Sequence, residues 1–273
     1  MMAKVSVIMG IYNSKNKEYL TKSINSVLNQ TFSDFEFIIC NDGSTNDCEK
    51  WAKEICKADK RVIFIKNKEN KGLAHTLNQC LKIANGKYIA RMDDDDCNDL
   101  ERFRRQVEIL DNNNNVDVVN CNSYIFDNNG VWGELRYNSK ITKEDFLYNN
   151  PIVHPSVMVR KTAYEMVNGY RDIKKTIRVE DYDLFMRMQE KGIHMVTIQE
   201  PLFLYREDKD TKSRRKFRYR VNECKVRKEH FKKLGLLNQK KNYIYVIKPL
   251  FANLIGNIHR RKKIKRNMLN EKK

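Results

Sequence analysis

Residues 88–96, Tyr88-Ile89-Ala90-Arg91-Met92-Asp93-Asp94-Asp95-Asp96, carry a short strand-like segment directly into four consecutive carboxylates. Adjacent negative charges repel, so a fold that gathers them at the end of a buried element needs a compensating charge, and a divalent cation would supply it. An acidic run is ordinarily a solvated, inert loop. Here position argues otherwise: ligands of open α/β sheets collect at the carboxyl ends of strands, and this run follows a strand without a break.

Working outward, residues 5–9 (Val-Ser-Val-Ile-Met) read as a buried first strand, followed by a polar break and a helical pattern with Leu20, Ile24, Val27 and Leu28 on one face. Residues 35–40 form a second strand that ends at the turn Asn41-Asp42-Gly43-Ser44, with a helix expected over 47–57. Residues 61–65 are a third strand, and Asn70-Lys71-Gly72 leads into a helix carrying Leu73, Leu77, Leu81 and Ile83 that stops at Asn85-Gly86. Strand and helix thus alternate four times before the Asp run, the pattern of parallel βαβ units. Three of the four strand ends carry polar clusters, Tyr12-Asn13, Asn41-Asp42 and 93–96, which predicts a nucleotide-sized ligand across them. No Gly-x-Gly-x-x-Gly or Walker-type lysine loop follows the first strand, which disfavours a dinucleotide dehydrogenase and a P-loop enzyme.

The second half is less regular. Helices are expected at 100–110, 143–148, 161–167 and 180–191, and strands at 116–121, 124–126, 131–137, 156–159, 194–198 and 202–205. The net charge of +18 is unevenly placed: residues 209–273 hold 23 Lys/Arg against 4 Asp/Glu, so residues 1–208 are close to neutral. Seven cysteines without a Cys-x-x-Cys pair argue against structural zinc and a disulfide framework and suggest a reducing compartment. The apolar run at 5–9 is shorter than a signal-peptide core, and no run reaches the ~18 apolar residues of a membrane span.

The segments 5–13, 41–44, 70–72 and 84–88, the Asp run and Val179-Glu180-Asp181-Tyr182-Asp183-Leu184 resemble, in order and spacing over roughly residues 4–206, the motifs of family 2 glycosyltransferases. The resemblance implies an α/β, GT-A fold with a Rossmann-like nucleotide-binding half and a mostly parallel sheet. It also implies an inverting, nucleotide-sugar-dependent transferase. On this reading residues 1–208 are the catalytic domain (1–98 binding the nucleotide sugar, 99–208 the acceptor half), and 209–273 are a basic helical extension.

Carried over by motif, Tyr12 stacks on the nucleobase, Asn13 stands beside it, and Asp42 accepts from the base edge. Asp95 is expected to bind Mn²⁺ or Mg²⁺, with Asp93 reaching the ribose or a metal-bound water. Asp94 is placed with the nucleotide sugar, and Asp96 is read as the more structural of the two remaining carboxylates. Asp181 is the expected catalytic base, with Glu180 its neighbour or an acceptor contact. Two carboxylates starting a helix otherwise merely suit its dipole. His154 could line the acceptor side or be a satisfied buried histidine. Relatives often carry a metal-binding histidine in Tyr-Arg-x-His, where this chain has Asp208, an aspartate able to ligate the same hard ion.

The extension contains a charged helix over 214–233. An apolar stripe of Ile247, Leu250, Phe251, Leu254, Ile255 and Ile258 then precedes the cationic cluster 260–266. Such a stripe beside dense positive charge suits an anionic membrane surface. A helix docked on the body is the alternative, and nucleic acid is disfavoured for want of a binding fold. The expected protein is cytoplasmic and peripheral on the inner face of the cell membrane, using a UDP-sugar and a glycan or lipid-linked acceptor. Two other classes were weighed: a sugar-nucleotide nucleotidylyltransferase, which lacks its Gly-rich basic loop here, and a non-catalytic adaptor resting on the tail alone.

Overall fold

In the computed structural model, which describes residues 3–208 and 216–251, β1 (Val5–Ile11), β2 (Phe35–Asn41), β3 (Val62–Lys66) and β4 (Tyr88–Met92) lie parallel in the order β3-β2-β1-β4. The connecting helices are α1 (Lys17–Leu28), α2 (Cys48–Ile55) and α3 (Leu73–Ile83). Both faces of the sheet are covered, so side-chain alternation sorts each strand between two cores. Val5, Val7, Met9, Ile11, Tyr88, Ala90 and Met92 pack with α1 and α2, whereas Ile8 and Ile89 pack with α3. By the same alternation Arg91 projects to the Ile89 side, toward the second half of the chain.

That half completes one ten-stranded sheet. After the two-residue β5 (Cys97–Asn98) and α4 (Arg102–Asn112) come β6 (Val118–Asp127), β7 (Gly130–Leu135) and β8 (Lys140–Ile141). The next elements are α5 (Asp145–Tyr148), β9 (Met158–Arg160), α6 (Lys161–Met166), α7 (Glu180–Glu190) and β10 (Met195–Arg206). The order continues β4-β9-β6-β10-β5, with β9 antiparallel to both β4 and β6 and β10 parallel to β6. The mixed α/β architecture with a mostly parallel first half matches the expected fold class. Two expectations change in detail. The strands read at 116–121 and 124–126 are one ten-residue strand, and those at 194–198 and 202–205 are one twelve-residue strand. Register shifts on either side of Pro201 let β10 absorb a proline that argues against a continuous strand in the sequence.

Beyond β10, α8 (Phe217–Lys233) and α9 (Tyr243–Phe251) are described. Helix α8 is docked, not solvated: Val226, Arg227, His230 and Phe231 are buried, and Val226 and Phe231 join the core that contains Leu184, Phe185 and Met188 of α7. Residues 209–215 and 252–273, which include Leu254, Ile255, Ile258 and the cluster 260–266, lie outside the described residues.

Candidate active site

Three strand ends form one edge. After β1 the backbone enters the left-handed region at Asn13 (φ 46), which turns its side chain onto the loop following β2. Asn13 Oδ1 accepts from Thr45 N at 2.9 Å, and Asn13 N donates to Ser44 Oγ at 3.0 Å. Tyr12 is 49% exposed, a large ring left out of the core at this edge. Asp42 is buried, and its carboxylate is spent on the 67–72 loop: Oδ1 accepts from Asn67 Nδ2 (2.8 Å) and Lys71 N (2.9 Å), and Oδ2 from Asn70 Nδ2 (3.0 Å) and Gly72 N (2.8 Å). With these four bonds made, Asp42 fixes the 67–72 loop against the end of β2.

The turn after β4 separates the four aspartates. Asp94 turns back to accept from Ser14 Oγ, and burial together with the neighbouring Asp93 pushes its pKa up to about 6. Asp93, Asp95 and Asp96 converge, each offering one oxygen within 4.8 Å of the others. Asp93 pairs with Arg91 Nη2. Asp96, read from sequence as structural, is 1% exposed; its Oδ1 accepts from Arg206 N at 2.6 Å, and its Oδ2 is buried with no hydrogen-bond partner. Burial, reinforced by Asp95 and Asp93, holds its pKa well above the usual range. A buried carboxylate oxygen without a donor, facing two further carboxylates, is an all-oxygen donor set that fits a hard divalent cation.

Asp208 does not join this cluster. It lies 3.6 Å from Arg206 Nη1. Arg206 in turn donates from Nε to Asp95 O at 3.1 Å and stacks on Tyr19, with its Cζ 3.6 Å from the ring centroid.

Asp181 sits half-buried in the first turn of α7 and accepts from Asn150 Nδ2 at 2.8 Å. Burial raises its pKa and that of the adjacent Glu180. Arg91 links the two acidic centres. It is 1% exposed, bonded to Asp93 on one side, and close enough to Asp181 for its charge to oppose the burial effect there. Its Nε and Nη1 are buried without partners. His154 is buried beside it, 2.7 Å from the Tyr170 hydroxyl and edge-on to Phe185; burial and the Arg91 charge hold its pKa well below the ordinary value, so the ring is neutral. It thus takes the form of a satisfied core histidine, walling the cleft from beneath.

Sequence reasoning passed over Arg91, Ser14 and Asn150. Only Arg91 carried a signal, as a charged residue inside an otherwise apolar strand next to the Asp run.

The family model described as glycosyl transferase family 2 matches residues 6–210. EpsE of Bacillus subtilis (strain 168), a protein assigned as a glycosyltransferase, is 36% identical over 270 residues, covering 98% of this chain and 96% of EpsE. WfaP of Escherichia coli, a UDP-Glc:alpha-D-GlcNAc-diphosphoundecaprenol beta-1,3-glucosyltransferase, is 33% identical over 192 residues, covering 70% of this chain and 72% of WfaP. Among solved structures, S. aureus TarS 1–349 in complex with UDP-GlcNAc superposes with a TM-score of 0.68 at 17% identity, covering 91% of this chain and 72% of that one, a likeness of fold.

Proposed function

The chain belongs to glycosyl transferase family 2, and from that premise we propose that it moves a sugar, with inversion, from a UDP-sugar to a glycan or lipid-linked saccharide in surface polysaccharide or glycoconjugate synthesis. The observation that carries this reading is the pairing of a carboxylate cluster, Asp93, Asp95 and Asp96, whose Asp96 Oδ2 is buried without a hydrogen-bond partner, with a half-buried Asp181 that feels the same buried Arg91. WfaP, with its UDP-glucose donor and diphosphoundecaprenol-linked acceptor, and the UDP-GlcNAc complex of TarS support the substrate classes.

Tyr12 offers its exposed face to the base, while Asn13 and Asp42 hold the loops on either side. Asp95, Asp96 and Asp93 hold Mn²⁺ or Mg²⁺, which when bound neutralises negative charge on the departing diphosphate. Asp181 accepts the proton of the acceptor hydroxyl as its oxygen bonds to the anomeric carbon and the bond from that carbon to the diphosphate oxygen breaks, releasing UDP. Burial raises the basicity of Asp181 above that of a surface aspartate, Asn150 fixes its orientation, and the Arg91 charge opposes part of the rise. Glu180 stands beside it toward the acceptor. Transfer assayed over a panel of UDP-sugars, with Mn²⁺ and with chelator, is expected to show one preferred donor and activity lost on chelation and in Asp95→Ala. Chelator-insensitive transfer, or full activity in Asp95→Ala, would overturn the cation assignment.

The membrane surface is the proposed working place. Helix α9 turns Tyr243, Ile244, Ile247 and Phe251 to the outside, beside exposed Lys240, Lys241 and Lys248. Apolar anchors flanked by cations suit an anionic bilayer, and no helix among the described residues is long and apolar enough to cross one. The full chain is expected to sediment with phosphatidylglycerol vesicles at low salt and to release at high salt. The double variant Ile244→Asp/Ile247→Asp should stay in the supernatant.

A further inference from the structure

Between Tyr170 and Glu180 the chain forms only turns, including a left-handed Arg178 (φ 68), and this irregular segment delivers Asp181 to the cleft. Its internal bonds are few, chiefly Thr176 Oγ1 to Arg171 O at 2.7 Å and Val179 N to Thr176 O at 2.8 Å. Outside the segment, His75 of α3 meets Asp172 at 3.0 Å, and helix α8 adds a further set of contacts. Asn222 Nδ2 donates to Lys174 O at 3.1 Å and Ile177 O at 3.2 Å. Two turns later, on the same helix face, Glu229 accepts from Arg171 Nη1 at 2.9 Å and pairs with Lys175. His230, fully buried, lies 3.0 Å through Nε2 from Asp183 Oδ1, in the first turn of α7. Asp183 also accepts from Arg171 Nε at 3.0 Å and Arg187 Nε at 2.9 Å.

We propose that Asn222, Glu229 and His230 are positioning residues for the Asp181 segment, so that the helix following the catalytic strands completes the acceptor side of the reaction. The catalytic part of this inference rests on the reading of Asp181 as the base. The clamp grips the segment at its start, its middle and its junction with α7, while the Asp181 carboxylate itself is held by Asn150. Arg171 connects the two grips, because one guanidinium meets both Glu229 and Asp183. A loop held only by turn bonds would let the carboxylate of Asp181 wander, and a displacement of about 1 Å from the attacking hydroxyl costs about a hundredfold in rate.

The test uses the full chain with Asn222→Ala, Glu229→Gln, His230→Ala and His230→Gln. Hydrogen–deuterium exchange is expected to quicken in peptides spanning 171–183 and to stay unchanged in those spanning the Asp run. Turnover should fall about tenfold or more while UDP affinity, measured by titration, holds within about twofold. His230→Gln, which keeps a donor toward Asp183, should recover most of the rate lost in His230→Ala. Unchanged exchange over 171–183, or turnover per folded molecule equal to wild type despite a lowered melting temperature, would overturn the proposal. The exchange readout needs no substrate, so a failure of the base assignment alone would leave the clamp standing and would show instead as full activity in Asp181→Asn.

Discussion

Around Asp183 three carboxylates, Asp183, Glu190 and Glu229, meet Arg171, Lys175, Arg187, His230 and Lys233. At the end of β4, among the described residues, Asp93, Asp95 and Asp96 gather with Arg91 paired to Asp93 and with Asp96 Oδ2 buried without a hydrogen-bond partner. Burial acts on both groups, but only in the first is it outweighed: Asp183 falls to about 2, held down by His230, Arg171 and Arg187 against burial, whereas Asp96 is driven well above the usual range. A satisfied acidic cluster is a fastening. One that keeps a buried carboxylate oxygen without a hydrogen-bond partner is a place for a ligand.

The largest effect expected from this contrast lies at Asp181, which belongs to neither cluster. Asp181→Asn keeps the Asn150 side and the shape but removes the base, and is expected to lower turnover about a thousandfold, with UDP affinity within about twofold by titration. Residual transfer near the wild-type rate would move the role to Glu180.

The next effect separates the clusters by sign. Asp183→Asn leaves Arg171, Arg187 and His230 without their shared carboxylate and is expected to cost about 3 kcal/mol in urea unfolding. Asp96→Asn removes a buried, under-compensated charge while its carbonyl still accepts from Arg206 N, and is expected to raise the stability of the chelated protein by about 1 kcal/mol while abolishing protection by Mn²⁺. Equal destabilisation by the two substitutions would erase the distinction.

How far the sequence revealed these sites follows from where their partners lie. The four strands and three connecting helices at the start are written in local periodicity, and they emerge within a residue or two of the expected bounds. The Asp run was legible as a site but not in its parts. Four identical residues differ only through a turn that sends Asp94 to Ser14 and Asp96 inward beneath Arg206 N. Helix α8 was legible as a helix but not as part of the body. Its buried face includes Arg227 and His230 besides Val226 and Phe231, and polar groups whose partners lie forty or more residues away leave no apolar period to read.

The dependence of stability on pH is smaller than the loss expected at Asp183→Asn, and here too the clusters oppose each other. Asp183 titrates near 2 in the folded chain and near 3.9 when unfolded, so its contribution is fully present above about pH 4 and is lost as pH falls toward 2. At about 1.4 kcal/mol per unit this amounts to about 2.6 kcal/mol. Asp94 runs the other way. Its folded value of about 6 lies above its unfolded one, so the metal-free protein gains stability as pH falls from about 7 toward 4 and the folded state takes up the proton. Urea unfolding in chelator at about pH 7, 5 and 3 should therefore show greatest stability in the middle. Asp183→Asn should remove part of the acidic decline, and Asp94→Asn should flatten the neutral side. An acidic decline identical in wild type and Asp183→Asn would mean that the cations around Asp183 do not hold it ionised, and the two clusters would then differ in geometry alone.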